Sequence, residues 1–407
     1  MATVAKRVWT DSKGRKHEAW RVGYTDKCGK RRFVQKGTKR EAEAYRIKVE
    51  GELVRGTHTA DAASITVGDA CKLWLSAAEE GGCSRSTLKT YGEIVNGHVV
   101  PFVGSTKLSR LDAPAVVDFR NELIAAGRSQ SMVRKAVRHL SMVLNEAVSL
   151  GLVAQNVAQG VRVRHRRVQG TRRKALAKRA EIPSQEHLRA MLEAADRLGN
   201  EDPRLPVMLR VVMGAGLRAS ELRAFSWDNS DLSAKSLTVD RSADRWNEIG
   251  APKSDAGYRT IPIGPMLATS LKAWKLQCPP SPGNLMFPNR PRGRQWRSSV
   301  GQTSGGPIKQ HTMAALLLKV QVAAGIAIDS GERTPTGLPV WKLRYDWHHL
   351  RHVAASNWLA QGVDLKRLQV WIGHENIQLT IDVYGHLMAD ERRDATLAAG
   401  AEAALLA

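Results

Sequence analysis

The stretch from Val161 to Ala180 carries nine Lys/Arg, no acidic residue, and a glycine, Gly170, near its middle. A run of like charges repels itself and stays extended, so it cannot join a packed core. The chain is therefore expected to fold as separate parts on either side of a basic linker at 161–182, which fits 407 residues at roughly 150 per domain. Lys plus Arg is 62 against 39 Asp plus Glu, a formal +23, with 43% hydrophobic residues. Such a chain folds and seeks polyanions. Arg166 and Arg167 of the linker are candidate DNA contacts, because an extended basic segment suits the crossing of a phosphate backbone.

The apolar stretch Ala314 to Ile328 is interrupted by Lys319 and Gln321, well short of the roughly 18 residues of a membrane helix. Lys6 and Arg7 are followed by no apolar core, so no secretory leader is expected, and the reading is a cytoplasmic, nucleoid-associated protein without a membrane partner. Cys28, Cys71, Cys83 and Cys278 are scattered without C-x-x-C spacing and read as ordinary thiols.

Residues 1–62 form a first domain. Turn clusters at Asp11–Gly14 and Asp26–Gly29 separate partly alternating segments, Glu18–Tyr24 and Arg31–Gln35, and Thr38 then caps a helix to about Val54. This predicts a small α+β module, a three-stranded sheet backed by one helix. It carries a net +8, with basic residues interleaved among aromatics, and Trp20, Arg21, Arg31 and Arg32 are candidate DNA contacts. A solvated basic face is the alternative.

From 63 to 160 the pattern is all helical. Helices start at Thr66, at Ser86, at Asp112 or Pro114, and at Ser131. In the last, Val133, Ala136, Val137, Leu140, Val143, Leu144 and Ala147 keep the 3.6 period, with Arg134, Lys135 and Arg138 on the other face as candidate DNA contacts. A bundle helix with an ordinary solvated face would look the same.

The third domain, 183–407, is expected to be mainly helical with a small antiparallel sheet, opening on a helix after Ser184. Four of its segments need a joint explanation. In Gly214–Leu222, glycines precede Arg218, and Glu221 follows one helical turn later; alone this is a salt-bridged helix start. Lys253 sits near the turn of a hairpin between strands Lys235–Val239 and Tyr258–Ile263, where an exposed turn lysine is equally ordinary. In Trp347–Ser356 the i, i+3 spacing puts His348 and Arg351 on one face. His348 and His352 are four apart, as in a zinc-protease helix, but His349 occupies the position of the required glutamate, leaving core packing as the other reading. Finally an apolar helix stops at Gly373, His374 follows in the turn, and Tyr384 lies ten residues on; a lone tyrosine there would be core.

G-L-R-x-S-E-L around Arg218, H-x-L-R-H at His348 to His352, and G-H-x-x-I-x-x-T-x-x-x-Y-x-H from Gly373 to His386 together resemble the tyrosine site-specific recombinases, in particular phage and integrative-element integrases. The resemblance spans nearly the whole chain. It implies an arm-type DNA-binding domain at 1–62, a SAM-like core-binding domain at 63–160, and a catalytic domain at 183–407. Two departures stand out: His349 replaces an acidic residue of many members, and the His374 to Tyr384 spacing is one longer than in the shortest.

The resemblance implies a metal-free and cofactor-free strand transfer. Tyr384 is the nucleophile that forms a 3′-phosphotyrosyl ester. Arg218 and Arg351 hold the nonbridging oxygens, Lys253 protonates the departing 5′ oxygen, and His348 takes the tyrosine proton. His374 donates to the phosphate, and Glu221 orients the site. The implied partners are double-stranded attachment-site DNA, three further copies in a tetramer, a host DNA-bending protein and an excisionase. A type IB topoisomerase-like relaxing enzyme and a catalytically inactive DNA-binding regulator are the alternatives; the arm-like sheet and the linker favour recombination.

Overall fold

The computed structural model describes residues 2–26, 29–54, 64–163, 182–289 and 305–387, together with 399, 402 and 403. Cys28 and residues 164–181, hence most of the linker with Arg166 and Arg167, lie outside the described residues. The chain forms two compact units, 1–168 and 169–407.

The first unit opens with an antiparallel sheet in the order β1 (Thr3–Thr10), β2 (Lys16–Thr25), β3 (Arg31–Lys36). Asp11 and Asp26 make its turns, the Asp11 carboxylate accepting from the Lys13 and Arg15 amides and the Asp26 carboxylate from the Lys30 amide. Helix α1 (Lys39–Val54) is capped by Thr38 and covers one face, burying Val49 against Ala2 and Tyr24.

A bundle follows: α2 (Val67–Glu80), α3 (Arg85–His98), the short α4 (Val100–Val103), α5 (Ala113–Ala125) and α6 (Gln130–Ser149). Thr66 and Asp112 cap α2 and α5. Two expected starts need correction. The capping serines are Ser84 and Ser129, whose hydroxyls accept from the Thr87 and Met132 amides, whereas Ser86 and Ser131 already lie inside their helices. All seven expected apolar residues of α6 are buried, and Arg134, Lys135 and Arg138 are exposed on its other face. The same helix buries His139, which meets Trp74 and Tyr91 edge-on and bonds the Lys135 carbonyl.

The second unit begins with α7 (Gln185–Leu198) behind Ser184, then α8 (Arg204–Ala215) and α9 (Ala219–Ala224). Strands β4 (Ser230–Asp231), β5 (Ser236–Val239) and β8 (Arg259–Pro262) form a three-stranded sheet in which Ser236 faces Pro262 and Val239 faces Arg259. The expected single hairpin is more elaborate. A second one, β6 (Ser242–Ala243) with β7 (Ile249–Gly250), fills the excursion, and Asp244 makes its turn, so Lys253 lies after that tip, on the segment returning to β8. Helices α10 (Pro265–Lys275) and α11 (Gln310–Ala323) follow.

A solvent-facing hairpin, β9 (Ile328–Arg333) with β10 (Pro339–Lys342), precedes α12 (Trp347–Ala360), α13 (Leu365–Ile372) and α14 (Ile377–Tyr384). The core gathers Met208, Leu209 and Val212 of α8 with Leu222, Leu237, Ile261, Leu317, Leu350 and Val353. Helix α12 packs on α8, which brings the start of α12 beside the turn that ends α8. No helix among the described residues is long and apolar enough to cross a membrane.

Candidate active site

The apolar helix α8 stops at Gly216, whose φ of 61° is left-handed. A Cβ there would lie 3.1 Å from Ile372 and 3.2 Å from Trp358, so both conformation and space demand glycine. The extended residue Arg218 then caps α9 and sets Glu221 one turn inside it. Glu221 is buried and accepts from the Arg218 amide at 2.8 Å and Arg218 Nη1 at 2.7 Å. It also accepts from Arg259 Nη1 at 3.0 Å and Nη2 at 2.8 Å, and Arg351 Nη1 lies 3.9 Å away. Burial alone would raise this carboxyl, but the Arg259 hydrogen bonds and the charges of Arg259, Arg351 and Arg218 prevail and hold it down at about 2.

Each of the two expected phosphate-holding arginines is also tied to the carbonyl of a left-handed glycine. Arg351 Nη1 donates to Gly216 O at 2.7 Å, and Nη2 donates to Ile372 O. Arg218 Nη2 donates to Gly373 O at 2.5 Å. Gly373 ends α13 at φ 68°, and a Cβ there would lie 2.9 Å from Ala256 O and 3.0 Å from Arg259 Nη1. Arg351 is 1% exposed, and its buried Nε has no hydrogen-bond partner among the described residues. Burial and then the neighbouring Arg218 charge lower it to about 9, so it remains a cation at neutral pH. Three guanidinium groups around one carboxylate leave a net positive cluster suited to an anion.

Tyr384 ends α14 and is fully buried against Ala355, Leu359, Leu368 and Ile372. Burial raises its hydroxyl to about 12 against the pull of Arg351 and Arg218. The His374 ring stacks on it at 6.2 Å, and His374 Nδ1 is bound to the buried Thr380 hydroxyl at 3.0 Å. Gln369 Nε2 donates to the His374 carbonyl at 3.0 Å and fixes the turn. Burial, followed by the Arg351 and Arg218 charges, lowers His374 to about 3.

The tyrosine hydroxyl lies 2.6 Å from Nδ1 of His352, and His348 meets the His352 ring edge-on at 4.6 Å. His348 is the candidate from the sequence for taking the tyrosine proton; the side chain that bonds Tyr384 Oη is that of His352, one turn beyond His348 on α12. His349 has a separate place. Asp346 caps α12, and its backbone N–H donates to His349 Nδ1 at 3.1 Å, so the histidine completes a capping box where an acidic residue would otherwise serve. Among the described residues no group of three His, Cys, Asp or Glu is placed to hold a metal ion.

The structure thus brings Arg218, Glu221, His348, Arg351, His374 and Tyr384 together. Lys253 is exposed, with no hydrogen-bond partner among the described residues. The reading of the sequence missed Arg259 as the partner of Glu221, and also missed Thr380 and the position of His352. The T in the last motif and the second histidine of H-x-L-R-H were the available signals.

The candidate contacts of the sheet divide between its two faces. Cross-strand partners share a face, so the register puts Arg7, Trp9, Arg21, Arg31 and Phe33 on the open side. Trp20 and Arg32 lie on the helix-covered side. There Lys39 of α1 sits 5.6 Å from the Trp20 ring, and Arg32 pairs with Asp26 at 2.8 Å, so of the four candidate DNA contacts on the sheet only Arg21 and Arg31 share the open face. Arg21 stacks on the Phe33 ring at 3.4 Å.

Residues 183–391 match the model of the phage integrase family, and 66–124 match the phage integrase N-terminal SAM-like domain. A tyrosine recombinase XerC-like protein of Caldanaerobacter subterraneus subsp. tengcongensis is 24% identical over 365 residues, 88% of each chain. The prophage integrase IntR of Escherichia coli is 22% identical over 82% of this chain and 79% of its own. Among solved structures, the Tn1549 transposon integrase in complex with transposon right end DNA aligns at TM-score 0.58 and 16% identity, covering 84% of this chain and all of that one. A lambda integrase tetramer bound to a Holliday junction aligns at 0.55 and 16% identity, over 91% of this chain and 95% of that one.

Proposed function

The chain belongs to the phage integrase family, and from that premise we propose that it integrates a phage or mobile element by cutting and rejoining DNA at specific sites through a phosphotyrosyl link to Tyr384. The observation that carries the assignment of residues is the convergence of Arg218, Arg351, His374 and Tyr384 around the buried Glu221 carboxylate.

In this reading the scissile phosphate sits against Arg218 and the unpartnered Nε of Arg351, whose charges are fixed before DNA arrives. Preorganised donors of this kind stabilise the charge that grows on the nonbridging oxygens. His374, its Nδ1 committed to Thr380, offers Nε2 to the same phosphate. Tyr384 Oη attacks phosphorus, the bond to the 5′ oxygen breaks, and exposed Lys253 supplies the proton that makes that oxygen a good leaving group. A 5′-hydroxyl of the partner duplex reverses the step and rejoins the strands. Glu221 and Arg259 hold the two phosphate arginines in place.

Four copies act together on two duplexes, a reading supported by the fold shared with the lambda integrase tetramer. The division of labour is an arm-binding domain at 1–62, a core-binding domain at 63–160, a basic linker at 161–182 and a catalytic domain at 183–407. The protein acts on nucleoid DNA in the cytoplasm, with a host bending protein and an excisionase as helpers. A paired integration assay tests the modular part: the chain lacking residues 1–62 should still cleave core DNA yet fail at integration that depends on arm sites. Equal integration by both would reduce the sheet to a solvated basic face.

A further inference from the structure

His352 has no role in the chemistry described so far, yet its ring hydrogen-bonds the hydroxyl of the nucleophile. We infer that His352 is a catalytic residue that accepts the Tyr384 proton as the phosphotyrosyl bond forms. The inference deepens the recombinase reading and rests on Tyr384 being the nucleophile.

The geometry carries it. Tyr384 Oη to His352 Nδ1 is 2.6 Å, within the range in which a general base takes a proton directly. The two rings are inclined at 68° with centroids 5.4 Å apart. His348, one turn earlier on α12, meets the His352 ring edge-on with centroids 4.6 Å apart.

Charge supports the direction of transfer. Burial, His348, Arg351 and His349 lower His352 to about 4 against the pull of Asp346, so the imidazole is neutral and able to accept. A DNA phosphate brings a negative charge into a pocket of guanidinium groups, which raises the basicity of the histidine when it is needed. The step balances. The Oη–H proton moves to Nδ1, Oη bonds to phosphorus, the 5′ oxygen leaves with a proton from Lys253, and the imidazolium returns its proton to Oη when the strands rejoin.

The experiment measures covalent adduct formation by the full chain on a nicked duplex carrying the core site. Besides His352→Ala, the variant His352→Asn keeps a polar atom near Nδ1 but has no basic nitrogen, so it separates positioning from proton acceptance. Each should bind DNA normally and cleave about 10²-fold slower or worse. A fluorinated tyrosine at 384, whose hydroxyl ionises more readily, should restore at least about tenfold to both and do nothing for His348→Ala. Native-rate cleavage by His352→Asn would overturn the inference, as would rescue confined to His348→Ala or absent altogether. Adducts persisting in Tyr384→Phe would instead sink the nucleophile assignment, and the inference with it.

Discussion

Arginine is used in two opposite ways in this molecule. On the open face of the amino-terminal sheet, Arg21 and Arg31 lie over Phe33, and Arg7 lies near Trp9 at the surface. Around Glu221, the Arg259 and Arg351 side chains are about 1% exposed, and the carbonyls of Trp371, Gly257, Gly216 and Ile372 accept from them. If the first arrangement binds DNA as proposed, salt should weaken it, because each exposed cation exchanges with counterions. The second gives a field that salt hardly reaches, at the cost of burying charge that must be paired. Binding and chemistry can therefore be broken separately.

Lys253 gives the largest separation. Lys253→Ala should slow cleavage by roughly 10²–10⁴-fold with affinity for DNA unchanged. A substrate with sulfur at the bridging position, whose leaving group needs no proton, should recover most of the rate. An unrescued variant would make Lys253 a DNA-contacting surface residue. Arg259 could not then supply the proton, since its guanidinium is locked to Glu221 and the Trp371 carbonyl.

Arg351→Lys keeps the charge and loses the fork, so cleavage should fall by about 10²–10³-fold with the salt dependence of binding unaltered. Glu221→Gln tests the support beneath it. Three guanidinium groups without their carboxylate should destabilise the second unit by roughly 3–5 kcal/mol, read as a fall in denaturant midpoint. The folded Glu221 pKa, about 2, lies below the ordinary 4.5, so its stabilisation is complete above pH 4.5 and disappears as pH falls toward 2. The acid limb of the native stability curve should lose that component in the variant.

The sheet should respond in the opposite manner. Arg21→Ala with Arg31→Ala should lower the salt slope of arm-site binding by about one for each phosphate no longer neutralised, leaving core cleavage at the native rate. Core cleavage that dropped as well would contradict the separation. Phe33→Leu, which removes only the ring beneath Arg21, should weaken arm binding by a few-fold, near the ~0.5–1 kcal/mol of an exposed cation–π interaction.

Periodic features were legible in the sequence. The stripe of α6, the caps Thr66, Asp112 and Ser184, and the three-stranded sheet all follow from local rules that bind a residue to its near neighbours. Ser84 and Ser129 were misread by two residues because several serines can compete for one cap. Arg259 was hidden because an arginine inside an alternating strand looks exposed until the partner across space is known. The split of Trp20 from Arg21 is strand parity, readable only once the covered face is fixed. His352 was visible in its motif, but the meeting of α12 with α14 decides which histidine reaches the tyrosine.

The most direct test is the covalent adduct itself, formed on a nicked core-site duplex in excess chelator and mapped by peptide sequencing. The native chain should yield a 3′-phosphotyrosine at residue 384 at an undiminished rate, since Arg218 and Arg351 supply the fixed positive charge, and Tyr384→Phe should bind the duplex yet yield none. An adduct on another residue, or cleavage that returns only with added divalent ion, would contradict the account.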